Sequence, residues 1–143
     1  MISRYYAALL PVYTLFLLYM MLFGCGRIAG EIGNLQIVPF RSITYFSTEH
    51  VGFWKFFLNI VCNVVVFVPF GYMGWVFSPL KSFSLLLPIF VLGIVFIELI
   101  QYFTGLGTAD IDDVILNTVG MSSGYICFRI KNSATSESLQ TEV

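Results

Sequence analysis

Long apolar runs constrain this chain more than any other feature. Four of them, near residues 5–25, 56–77, 83–103 and 114–130, approach the about 20 mainly apolar residues that a helix needs to cross the hydrocarbon core of a bilayer. Hydrophobic residues make up 58% of the chain and charged residues 10%, at a mean hydropathy of +0.88, which lies outside the range of soluble domains. The bilayer is therefore the expected solvent. The expected fold is an all-α membrane protein, a compact antiparallel bundle of four transmembrane helices with one longer loop between the first and second. Residues 1–131 would form this domain, and the polar tail 132–143 is expected to be disordered.

The rest of the composition removes other classes. A net charge of −1 leaves no broad basic surface for nucleic acid. Cys25, Cys62 and Cys127 form no CxxC pair, and His50 is the one histidine available to join them, so a zinc site is not expected. The cysteines read as small apolar residues, with a Cys25–Cys62 disulfide as the lesser alternative. The first run follows Arg4 and ends in "LFGC", faintly like a lipoprotein signal, but it is too long and Phe23 is too bulky for a cleavage site. It is read as a helix.

Breaks at Ser78-Pro79 and at Gly105-Leu106-Gly107 suit tight turns. Pro69 in "VFVPFG" interrupts the second run and frees a backbone carbonyl, which inside a membrane must find a partner in the protein. With Gly71 behind it, Pro69 marks either a packing kink or a carbonyl open to a cavity. Residues 26–55 are too apolar for a free linker and should lie at the interface or fold back over the bundle. Four spans put both termini on one side, with Arg4, Lys81, Arg129 and Lys131. Arg27, Arg41 and Lys55 fall on the other. The positive-inside rule then places the termini in the cytoplasm and the aspartates outside, in a multi-pass protein of the cell membrane.

Polar residues meet at one level. Counted inward at about 1.5 Å per residue, Asn63, Glu98 and Asn117 reach similar shallow depths of roughly 5–10 Å on three helices. Asn59 and Asn63 share one helix face, and Glu98 and Gln101 share another. Asp113, Asn117, Gly120 and Gly124 follow a single stripe, and "GMSSG" within it permits close backbone approach between helices. An ionised Glu98 facing lipid would cost several kcal/mol, so it must face inward, be protonated or have a partner. It is either functional or interhelical glue bonded to Gln101, Asn63 or Asn117. Asp110, Asp112 and Asp113 complete a cluster holding four of the eight carboxylates. One aspartate can cap the last helix; three are more than capping needs, and Mg2+ or Ca2+ at Asp110 and Asp113 would relieve their repulsion. No cofactor is otherwise implied.

These elements resemble the VanZ-like family of small bacterial membrane proteins. "NVVVFVPFG", Asn63 to Gly71, matches its Asn-x3-Phe-x-Pro-x-Gly element. "ELIQYFTGLGTADIDDVILNTVG", Glu98 to Gly120, matches its Glu-x2-Gln and Asp-x2-Asp-x3-Asn-x2-Gly elements, and "NLQIVPF", Asn34 to Phe40, is a looser match. The resemblance makes Asn63, Pro69, Glu98, Gln101, Asp110, Asp113, Asn117 and Gly120 the family residues here. Many relatives carry an arginine just before the aspartates, where this chain has Leu106, Gly107 and Thr108, so the acidic cluster lacks that counter-charge. The family's founding member is associated with low-level teicoplanin resistance, without an established mechanism. By that resemblance the chain is expected to be an envelope protein that binds an amphiphile, a glycopeptide or a lipid-linked precursor, through the acidic and amide residues near the outer face. The alternative is an intramembrane metal-assisted hydrolase or transferase acting on a lipid-linked substrate, with Glu98 as acid or base. A third class is a helix-packing subunit of a larger complex.

Overall fold

Pro69 and Gly105 mark breaks in the apolar runs, whereas Pro11 and Pro88 sit inside helices. The computed structural model describes residues 2–24, 32–41, 44 and 53–141. Its elements are helix α1 (Ile2–Phe23), strand β1 (Leu35–Gln36), helix α2 (Phe53–Val65), 3-10 helices at Val68–Trp75 and Ser78–Lys81, helix α3 (Phe83–Thr104), strand β2 (Ala109–Asp110) and helix α4 (Ile111–Thr141). Among the described residues only Ser3–Phe23 and Phe83–Thr104 are long and apolar enough to cross a membrane, and Ile60–Trp75 is a shorter apolar helix.

The second run is therefore not one helix over 56–77. Pro69 has no N–H to donate and its ring obstructs the preceding turn. The helix ends at Val65 and the chain continues as the 3-10 segment Val68–Trp75. Helix α4 starts earlier and ends later than 114–130. Its largely apolar stretch Val114–Phe128 covers roughly 22 Å at about 1.5 Å per residue, short of a hydrocarbon core of about 30 Å. It runs on to Thr141, through the segment expected to be a disordered tail. An already formed helix elongates without a new nucleation cost, and Ala134, Glu137, Leu139 and Gln140 are good helix formers.

The core lies where α3, α4 and the 3-10 segment meet α1. Leu17, Phe67, Leu80, Leu86, Phe90, Ile94, Val114 and Met121 form one buried cluster, with Phe67 edge-on to Phe90 at 5.8 Å. The most extensive packing is between α4 and the 3-10 segment. Glycines allow it, since a Cβ at Gly120 would strike the Val64 carbonyl and one at Gly124 the Val68 carbonyl. A Cβ at Gly71 would strike the backbone of Gly124 and Tyr125. The small-residue stripe thus faces inward, as its spacing predicts.

Tyrosines of α1 satisfy the break at Pro69. In a 3-10 turn the missing N–H of Pro69 would have gone to Val66 O; the Tyr13 hydroxyl donates to that carbonyl at 2.7 Å. The Tyr6 hydroxyl donates to Pro69 O at 2.8 Å. The freed carbonyl belongs to a packed kink. Cys62 and Cys127 are free thiols, whereas Cys25, His50, Arg27 and the side chain of Asn59 lie outside the described residues.

Candidate functional site

The acidic cluster is assembled at the turn from α3 to α4. Gly105 closes α3 in the left-handed conformation (φ 65°), its N–H reaching the carbonyls of Gln101 and Tyr102. The chain then doubles back, and β2 pairs in parallel with β1, Leu35 opposite Ala109 and Gln36 opposite Asp110. Gly33 N–H donates to Tyr102 O at 2.8 Å and Ala109 N–H to Asn34 O at 3.0 Å. Residues 33–36 of the loop after α1 are thereby strapped across the ends of α3 and α4. This described part lies over the helices, one of the two placements the loop's apolar composition allows.

Each carboxylate has a distinct task. Asp110 is the N-cap of α4, its Oδ1 accepting from Asp112 N–H at 2.9 Å. Asp112 and Asp113 occupy the first turn, where the helix dipole favours negative charge. Asp112, 1% exposed, accepts the backbone N–H of Phe40 at 2.5 Å. Asp113 accepts from Asn63 Nδ2 at 2.8 Å, joining α2 to α4. Glu98 Oε2 accepts from Asp110 N–H at 3.0 Å, joining α3 to the entry of α4. Gln101 Nε2 donates to Met21 O at 2.8 Å, joining α3 to the end of α1.

Buried among apolar neighbours are Glu98, Gln101, Asp112 and Asn117, each no more than 4% exposed. Asn117 lies one turn inside Asp113, and its Oδ1 is buried with no hydrogen-bond partner among the described residues. Glu98 and Asn63 both arrive at the first turn of α4, though on different residues of it. Asn63 is bonded to Asp113 and Glu98 to Asp110, and Asn117 bonds to neither Asn63 nor Glu98. Among the described residues no three His, Cys, Asp or Glu side chains are grouped to hold a metal ion. Asp110 turns an oxygen to its own helix and Asp113 one to Asn63.

A cavity of about 120 Å³ opens beside Glu98, between α3 and the strand pair. Its walls are almost wholly apolar, Leu35, Val95, Leu99 and Val114 among them, and Gln36, Glu98 and Asp110 border it. Such a pocket can take a small apolar group. Gln36 and Phe40 were not candidates from sequence. The looser match at Asn34–Phe40 was the available signal. Arg41 also stands at this end, its Nη1 donating to Gln36 Oε1 at 3.2 Å, so the loop brings a cation near the cluster that lacks one just before Asp110.

A mainly helical chain with two long apolar helices, a proline-broken apolar segment and buried acid and amide residues at one helix turn is defined by this geometry. The chain belongs to the VanZ/LLP1 family, whose model matches residues 10–132. Among curated proteins it is similar to Protein VanZ of Enterococcus faecium, at 37% identity over 82 residues. That match covers 53% of this chain and 47% of the relative, so the chain spans about half the length of the curated protein it matches. No solved structure matches.

Proposed function

We propose that the chain is a multi-pass protein of the bacterial cell membrane, with both termini cytoplasmic, and that it lowers susceptibility to teicoplanin-type glycopeptides. It would do so by engaging an amphiphile, the antibiotic or a lipid-linked envelope precursor, at the acidic and amide site near the outer face. The observation that carries this is an inverted distribution of polarity at the α3–α4 turn. Leu92, Phe96 and Phe103 on α3 are each at least 65% exposed, while Glu98 and Gln101 between them are 4% exposed. Water would select the opposite arrangement; hydrocarbon favours this one. The four-span antiparallel bundle belongs to the same proposal, with Ile60–Trp75 and α4 as spans completed by packing against neighbours. Family membership and similarity to Protein VanZ support the link to resistance.

Glu98 is the proposed site acid, since it borders the cavity and its Oε2 anchors the start of α4. Glu98→Gln keeps an acceptor for Asp110 N–H and removes the ionisable group. Expressed in a susceptible host, this variant and Val95→Phe, which fills the cavity from its apolar wall, are expected to return teicoplanin susceptibility to the vector level at unchanged abundance by immunoblot. Full protection retained by both variants would refute the site.

A further inference from the structure

The strap beside the Glu98 cavity carries its large apolar side chains outward. Ile32, Leu35, Ile37, Val38 and Phe40 are each more than half exposed, and Ile32–Phe40 contains no Asp, Glu, Lys or Arg. Its backbone hydrogen bonds turn the other way. Gly33 N–H donates to Tyr102 O, Asn34 O accepts from Ala109 N–H, and Phe40 N–H donates to Asp112 Oδ1. A run of exposed apolar side chains on this scale marks a surface that meets something other than water. Backbone polar groups bonded to the protein, with apolar side chains turned away from it, are what hydrocarbon demands of a chain that is not helical.

The depth of the strap follows from its partners on α3. That helix has 22 residues, a length of about 33 Å, which matches a hydrocarbon core of about 30 Å, so on the membrane reading Thr104 stands at the core's edge. Glu98 lies six residues further in, roughly 9 Å. Its Oε2 accepts from Asp110 N–H, and Asp110 is the strand partner of Gln36, so β1 reaches the level of Glu98. Leu35, Gln36 and Ile37 line the same cavity as Val95 and Leu99. Leu99, Phe96 and Phe103 are exposed along this stretch of α3, and the outer side of the strap continues their surface. The polar groups of the strap suit the same placement. Asn34 follows Gly33, which is bonded at the level of Tyr102 close to the core's edge, and Arg41 ends the apolar segment with a long stem that can lift its charge toward headgroups.

We propose that Leu35–Phe40 dips into one leaflet of the bilayer, with Ile37, Val38 and their apolar neighbours set against lipid acyl chains. The proposal rests on the membrane reading above and extends it from the helices to a non-helical segment, so that the strap beside Glu98 is solvated by lipid and not by water. Acyl chains are favoured over a protein partner because the strap's outer side runs on from the surface of α3 that already faces hydrocarbon on that reading, at the same depth and without a charge between them.

Fluorescence quenching in phosphatidylcholine vesicles reads the depth directly. In the full chain with Cys25, Cys62 and Cys127 replaced by Ala, single cysteines are placed by Ile37→Cys and Val38→Cys on the strap, by Leu92→Cys near the middle of α3 and by Lys81→Cys in the turn before it, and each is labelled with bimane. All four positions are exposed, so the label displaces no core side chain. Labels at 37 and 38 are expected to behave like the one at 92, losing most of their emission to phosphatidylcholine brominated on its acyl chains and little to aqueous iodide, with the label at 81 showing the reverse. Quenching of both strap labels by iodide, while the label at 92 is still quenched by brominated lipid, overturns the dipping segment and leaves the membrane reading standing. Protection of both strap labels from both quenchers also overturns it, in favour of a protein partner or a second copy on that side. Quenching of the label at 92 by iodide and not by brominated lipid removes the membrane reading and the proposal together.

Discussion

Phe40 shows what the acidic end demands of a single residue. It holds a φ of 64°, the left-handed region that a bulky L-residue avoids at a cost of about 1–2 kcal/mol. That conformation accompanies the N–H that reaches Asp112, while the ring stays 57% exposed and gains little from packing. Phe40→Gly should therefore raise the thermal stability of the detergent-solubilised chain by about 1 kcal/mol; a loss of stability would mean the ring contributes more than its exposure indicates. Sequence alone singled out Glu98, because an acid within an apolar run has few acceptable positions. It left open which partner Glu98 takes. Asp110 N–H belongs to the backbone, and backbone partners leave no trace in residue type.

At the scale of the element, the Pro69 break was legible and its remedy was not. A proline within an apolar run must orphan a carbonyl, but tyrosines in a membrane helix also suit lipid or interface. Tyr6 and Tyr13 can be told apart only by their spacing with Leu10 and Leu17, which share their face and are buried. Tyr13→Phe should cost about 1–3 kcal/mol by leaving Val66 O without its hydroxyl donor. Pro69→Ala supplies an N–H within reach of the same carbonyl, so the loss from Tyr13→Phe should shrink in that background. A thermal-denaturation double-mutant cycle checks this, and strictly additive losses would disprove the shared carbonyl.

For the whole molecule, spacing announced the stripe of Gly120 and Gly124, because close backbone approach leaves a periodic mark on one helix. The β1–β2 pair and the strap that carries Gln36 and Phe40 over the site gave no such mark, since two-residue strands so far apart in the chain have no detectable period. Packing is tight along the glycine stripe and looser between α1, the 3-10 segment and α3. An apolar cavity of about 170 Å³ lies between α1, the 3-10 segment and α3, and a Cβ at Gly93 would meet nothing within 4 Å. Gly93→Leu should accordingly stabilise by about 0.5–2 kcal/mol. Gly120→Leu must separate α4 from the backbone at Val64 and should abolish the folded state, judged by size-exclusion chromatography and melting. The hydroxyls on α1 also bear on biosynthesis. The ribosome delivers α1 before the interrupted segment, so the donors for Val66 and Pro69 exist when that segment emerges. On the membrane reading proposed above, inverting α1 would put those two hydroxyls at the wrong depth, making its correct insertion a precondition for settling the Pro69 break.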